Sequence, residues 1–319
     1  MKFLSPRSDI SFKKLFANKH HTDLTMAFLN NILGLSGTRT ISEITLRETV
    51  NLPDRAGGKE IIFDVYCTDG LNNHYIIEMQ SVNEYDFFER AQYYASRALG
   101  HQLTSSDTYT HLLPVVFVGV VDYSLDKIKK YKRFEEFRNK SIIALEKHIQ
   151  KSHEVITKYS LVNQETNQII PVPLIELNFV ELPKFKKKAE ECTTEVDQWL
   201  YLMKHAEECD EIPEHMKKIE VLVEAFYALE QKNWTPEDLR KYVEEREAVG
   251  REERIREGDQ EYAEDYREEG REEGREEGAQ EKAEIIAIKL LKKDIDIHEI
   301  ANLTELTIAK IESLKKSLK

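Results

Sequence analysis

One ten-residue run, PVVFVGVVDY at 114–123, limits the possible folds more than any other part of the chain. It carries no charge before Asp122 and is dominated by valine. A strand that apolar is wet on neither face, so helices must cover both sides of its sheet. That requirement points to an α/β architecture and away from a sandwich or a helical bundle.

The preceding sequence supplies the first layers. From Ser8 to Leu33, Phe12, Leu15, Phe16, Leu24, Ala27 and Phe28 recur at helical spacing, with Ser8 or Asp9 as the N-cap. After Gly34 the texture turns to strand over Ile41–Val50, Glu60–Thr68 and His74–Val82, the last two joined through TDGLNN with its Asp69-Gly70 turn signal. Phe87–Leu103 and Lys127–Lys151 read as helices. Glu154–Val162 and Gln168–Val172 read as a hairpin, and Leu174–Leu182 as one further strand. The class is therefore α/β, a central mixed sheet flanked by helices, occupying residues 1–185.

Beyond Pro183 the strand signals stop. Trp199, Leu200 and Met203, then Ile219, Val223, Phe226 and Leu229, form helical stripes, and Thr235-Pro236 opens a further helix. Residues 186–243 are thus expected to be a helical subdomain. Residues 244–284 hold eight basic and eighteen acidic groups, so most of the chain's formal charge of −13 lies there. Glycines at 250, 258, 270, 274 and 278 share a four-residue register, and each costs a helix about 1 kcal/mol against alanine. The segment reads as an acidic low-complexity helical linker, with self-association as the alternative. Residues 285–319 have helix-turn-helix spacing, with Ile297, Ile300 and Ala301 before a turn at Leu303–Thr307 and Ile308, Ile311 and Leu314 after it.

Charge and cysteine content narrow the function. An acidic chain draws nucleic acid only through a local patch or a metal, since the global field opposes it. Cys67, Cys192 and Cys209 are odd in number and widely spaced, which favours a reducing compartment over a disulfide framework or a zinc site. The start MKFLSPRSD has no apolar run of a signal peptide, and no stretch reaches the ~20 apolar residues of a membrane span. A cytoplasmic protein without a membrane partner is expected.

The chemistry concentrates in KEIIFDVYCTDGLNNHYIIEMQ. In the first strand Ile61, Phe63, Val65 and Cys67 are expected on one face and Asp64 on the other. In the second, Tyr75, Ile77 and Met79 alternate with His74, Ile76, Glu78 and Gln80. If the connection closes symmetrically about Leu71, Asp64 falls opposite Glu78, with Cβ atoms about 5 Å apart. Opposed like charges need a raised pKa, a basic partner or a divalent cation, unless both groups are simply solvated. Mg²⁺ suits one or two carboxylates together with substrate phosphate. On the next helix Arg90, Tyr94, Arg97 and His101 share a polar stripe, and guanidinium forks bind phosphate oxygens bidentately; a merely wet helix face is the other reading.

Taken in order, DISFKKLF, FLNNILG, FDVYCTDG, IIEMQ, FFERAQYYASR, PVVFVGVVDYSL, LNFVELPKF and the Gly-Arg-Glu-Glu tail resemble the Rpn family of recombination-promoting nucleases and transposases, within the PD-(D/E)XK nuclease superfamily. The resemblance spans essentially the whole chain. It implies a PD-(D/E)XK-type core, with Asp64 and Glu78 as the motif acids, Gln80 in the slot where the wider superfamily has lysine, and Asp9 as a further acid. It also implies a metal site of Asp64, Glu78 and the Met79 backbone carbonyl holding Mg²⁺, with Mn²⁺ as an alternative, and DNA as the partner. Arg90 and Arg97 are the expected phosphate-binding residues. The expected activity is metal-dependent DNA endonuclease action promoting recombination or transposition-like events. The alternatives are a non-catalytic DNA-binding or self-associating module with a degenerate site, forming homo-oligomers through 244–319, and a regulated phage-defence nuclease that the acidic segment plugs.

Overall fold

The computed structural model describes residues 2–48, 61–82, 86–125, 154–251, 282–283, 285–291, 296–304, 306–308 and 310–311. The helix expected over Lys127–Lys151 and most of the acidic 244–284 segment lie outside the described residues. Residues 1–250 form one compact unit and 251–319 a second.

The first unit is built on a six-stranded mixed sheet. Its strands are β1 (Ile44–Leu46), β2 (Val65–Asp69), β3 (His74–Gln80), β4 (Val115–Val121), β5 (Ile156–Tyr159) and β6 (Ile175–Glu181), in the order β1-β2-β3-β4-β6-β5. β3, β4 and β6 run parallel, and the outer pairs are antiparallel. The apolar run is β4, central and buried along nearly its whole length. The hairpin expected after Glu154 closes only by a bridge between Val162 and Ile169. β5 takes β6 as its ladder partner instead, because β6 pairs with all four residues of β5 and QETN leads back to only one paired residue.

Helices cover both faces. On one side lie α1 (Asp9–Phe16), α2 (Thr22–Leu33), α4 (Glu195–His205) and α5 (Glu220–Leu229). Phe12, Phe16, Phe28, Trp199 and Phe226 pack there with Val65, Ile77 and Val118 in one core. The segment 186–243, set apart in the sequence as a subdomain, therefore shares its core with α1, α2 and the sheet. On the other side α3 (Phe87–Gly100) lays Phe87, Ala91, Ala95 and Ala98 against Ile76, Phe117 and Phe179. The alanine stripe lets α3 lie close to the sheet. Gly119 allows it at one further point, since a Cβ there would sit 2.8 Å from the Phe87 ring. A final helix, α6, covers residues 236–251.

In the second unit residues 285–291 and Ile297–Thr304 are helical, and Ala287, Ile300 and Ile311 share a small core with Leu290 and Leu306. Among the described residues no helix is long and apolar enough to cross a membrane.

Candidate active site

The β2–β3 turn is organised by one side chain. Asp69 Oδ1 accepts the Leu71 and Asn73 amides at 2.9 and 2.8 Å, while Oδ2 accepts the Asn73 side-chain amide and the Tyr75 hydroxyl. The left-handed position falls on Asn72 (φ 61°) rather than on Gly70, as asparagine's short polar side chain allows. The register that follows pairs Val65 with Ile77 and Cys67 with Tyr75, a closure about Leu71. Asp64 and Glu78 are the next pair in that register.

They are not, however, a simple cross-strand pair. Asp64 sits in a bend just before β2. Ile61 and Phe63 pack on the α3 side of the sheet, whereas Val65 and Cys67 pack on the α1 side. The single face expected for these four is thus corrected: the bend at Asp64 resets the two-residue alternation. Asp64 stands where the chain crosses from one face to the other. Backbone and side chain exchange roles across the gap. The Asp64 amide donates to Glu78 Oε1 at 3.0 Å, and the Met79 amide donates to Asp64 Oδ2 at 2.9 Å. Amide and carbonyl of one strand residue point the same way, and Gln80 turns its carbonyl to the Asp122 amide on the β4 side. The Met79 carbonyl therefore opens toward Asp64.

α1 brings a cation and a third acid. Ser8 caps it through the Ser11 amide, and Arg7 fixes its entry by pairing with Asp122 and Glu207 at 2.8 and 2.7 Å. Asp9 and Lys13, one turn apart, pair at 2.7 Å, and the same ammonium lies 3.8 Å from Asp64 Oδ1. From α6, Glu245 accepts the Asp9 amide and, at 3.2 Å, the Ile10 amide. On the α3 side the Arg90 guanidinium lies over Phe87, 5.0 Å from its ring centroid. Arg97 stands seven residues on, roughly 10 Å along the helix axis, where it is buried and its charge acts on His101.

These surroundings shift the acids strongly. Glu78 is 3% exposed, and burial, then the Asp64 charge, pushes its carboxyl well above the ordinary range. The Asp64 amide, Arg90 and Lys13 oppose that shift. Burial also pushes Asp64 up to about 6, against the Met79 amide and Lys13, while Asp9 adds to the rise. Burial pulls the Lys13 ammonium down, but Asp9, Asp64 and Glu78 together raise it. Two of the three outcomes open to opposed carboxylates, a raised pKa and a basic partner, are therefore both present.

The structure thus gathers Asp64, Glu78, the Met79 backbone, Asp9 and Arg90 around one point, with Gln80 half-buried at the end of β3. Arg97 is buried seven residues further along α3. Lys13 and Glu245 escaped the sequence reading. The i,i+4 spacing of Asp9 and Lys13 was a usable signal; nothing local marks Glu245, whose contact spans 236 residues.

A second group has the ligands to hold a divalent metal. One ligand atom each from His21, Asp23 and Glu224 lie within 4.8 Å of one another, and His21 Nδ1 contacts Glu224 Oε1. His21 immediately precedes α2 and Glu224 comes from α5, so this group sits beyond the C-terminal end of α1 while Asp9 marks its beginning. His21 and Asp23 lack a motif spacing, and Glu224 comes from 203 residues away, so no local pattern marks the group.

A family model described as PD-(D/E)XK nuclease family transposase matches residues 6–141 and 138–258. No curated protein matches, and no solved structure matches.

Proposed function

The chain belongs to the PD-(D/E)XK nuclease family transposases, and from that premise we propose that it is a divalent-metal-dependent DNA endonuclease centred on Asp64 and Glu78. The observation that carries this reading is the interlock of the two acids. Asp64 Oδ2 and Glu78 Oε1 are each held by a backbone amide, which leaves Asp64 Oδ1 and Glu78 Oε2 as hard oxygen donors beside the Met79 carbonyl. Two acids brought together under burial create a need for positive charge that a single ammonium at 3.8 Å meets only in part. Mg²⁺ fits that donor set. When bound, such an ion activates a water and polarises a phosphodiester.

The chain's own residues set the rest. One backbone amide on each carboxylate orients both before any ligand arrives, so little reorganisation opposes binding. Arg90 opposes part of the rise that burial and Asp64 impose on the Glu78 carboxyl. Gln80 can orient water or phosphate only through neutral hydrogen bonds. Promotion of recombination or transposition-like events is the biological setting that this chemistry fits.

Supercoiled plasmid incubated with wild type, Asp64→Ala and Glu78→Ala, in Mg²⁺ and in EDTA, tests the assignment. Nicking by wild type in Mg²⁺ alone is expected. Equal nicking by both variants would remove the two acids from the mechanism. A second reading, a DNA-binding module with a degenerate site, draws on the neutral Gln80 and the 3% exposure of Glu78; it predicts DNA binding without metal-dependent nicking.

A further inference from the structure

We propose that Lys13 is a catalytic residue of this chain, its ammonium supplying from α1 the positive charge that Gln80 cannot supply from β3. The inference rests on the nuclease reading above and adds to it a residue on another element. The bland alternative is an exposed helix pair, because Lys13 and Asp9 have the i,i+4 spacing of many surface ion pairs. Three observations exceed that alternative.

The first is the contact with a different element. The Lys13 ammonium reaches 3.8 Å from Asp64 Oδ1, the oxygen that Asp64 does not commit to the Met79 amide. A cation beside that oxygen is beside whatever the oxygen binds. The second is the gradient of exposure. The Lys13 side chain is 38% exposed, Asp64 15% and the whole of Glu78 3%, so Lys13 flanks the open side of a pair whose other end is sealed. A DNA backbone approaching Asp64 from solvent meets this ammonium. The third is how firmly α1 is held. Ser8 caps it, Glu245 accepts its first amides, and the Ser81 hydroxyl, one residue past Gln80, donates to the Arg7 carbonyl. The helix is thereby tied to the end of β3, where the lysine charge is missing.

In hydrolysis a water oxygen bonds to phosphorus and one water proton passes to solvent. The ester P–O bond breaks with its electron pair leaving on the ester oxygen, which then takes a proton. Between those events the non-bridging oxygens carry extra negative charge. Lys13 donates N–H hydrogen bonds to one of them and neither gains nor loses a proton. Asp9 keeps the ammonium at the open side when Asp64 turns its charge to a metal.

Four variants tested side by side decide this: Lys13→Met, Lys13→Arg, Asp64→Asn and, as a control on the same helix, Lys14→Met. Lys14 pairs with Asp238 and lies over Trp234, away from the acids. Plasmid nicking in Mg²⁺ should fall on the order of 10²–10³-fold in Lys13→Met. Lys13→Arg should recover part of it, and Lys14→Met should cut like wild type. Mn²⁺ affinity by calorimetry should be unchanged or tighter in Lys13→Met, since a competing charge is gone. Anisotropy of a labelled duplex in Ca²⁺ should show weaker binding and a log–log salt slope reduced by about 1. Nicking by Lys13→Met within threefold of wild type, with Asp64→Asn inactive, would overturn the proposal and leave the nuclease reading standing. Loss of Mn²⁺ binding in Lys13→Met would overturn it too, reducing the lysine to a prop for the carboxylates. If wild type cuts nothing, the nuclease reading falls, and an unchanged salt slope in Lys13→Met would take this proposal with it.

Discussion

Asp64 and Glu78 bind protons more tightly than solvated acids do, and this has a consequence for stability. A carboxyl whose folded pKa exceeds its unfolded one makes the folded state bind more protons, so stability falls as pH rises between the two values. For Asp64 the window opens near the ordinary value of 3.8 and closes near 6, and Glu78 extends it upward. The metal-free protein should therefore lose melting temperature from pH 4 to 7.5, with an upper bound of about 3 kcal/mol from Asp64. Glu78→Gln should melt higher than wild type at pH 7.5 without metal, while losing any stabilisation by added Mg²⁺. Thermal melts at the two pH values, with and without Mg²⁺, check both expectations. A flat pH response in wild type would mean that the acids are solvated. At this scale the sequence disclosed which acids meet, because a symmetric turn sets the register. It did not disclose Lys13 as a neighbour of Asp64, since that contact depends on how a helix docks, which no local pattern encodes.

The elements owe their arrangement to a few positions where packing leaves no slack. α3 approaches β4 over Gly119, whose ladder partner is Glu78. A methyl there must displace the Phe87 ring, which is wedged among Phe117 and Phe179. Gly119→Ala is expected to cost about 1–3 kcal/mol and to lower nicking by moving Arg90, read by urea denaturation and the plasmid assay. An unchanged midpoint would mean that the ring yields freely. Ser8→Ala, removing the α1 cap, should cost about 1 kcal/mol in the same denaturation experiment. Strand identities were legible because β4 is apolar throughout and β3 follows a clear turn signal at Asp69-Gly70. The switch of face at Asp64 was not, because alternation counts residues and a bend interrupts the count without altering composition. The β5 pairing was likewise hidden, since the local QETN turn competes with a distant and stronger partner, β6.

Residues 1–250 form one compact unit, and within it the helices of 186–243 pack on the sheet-bearing part. Trp199, Leu200, Met203 and Phe226 look like the stripes of a separate bundle in sequence, and they do form stripes, but the surface they bury is α1, α2 and the sheet. Helical periodicity reveals that a face is apolar without revealing what covers it. A chain ending at residue 251 should therefore fold and keep its metal-dependent nicking, whereas one ending at residue 185 should not fold. Circular dichroism and the plasmid assay on both truncations check this, and a folded, active 1–185 fragment would make 186–243 a separate subdomain. The most direct test of the account is an anomalous-difference map from a crystal soaked in Mn²⁺. The account predicts a peak between Asp64, Glu78 and the Met79 carbonyl; a peak confined to His21, Asp23 and Glu224 would contradict it.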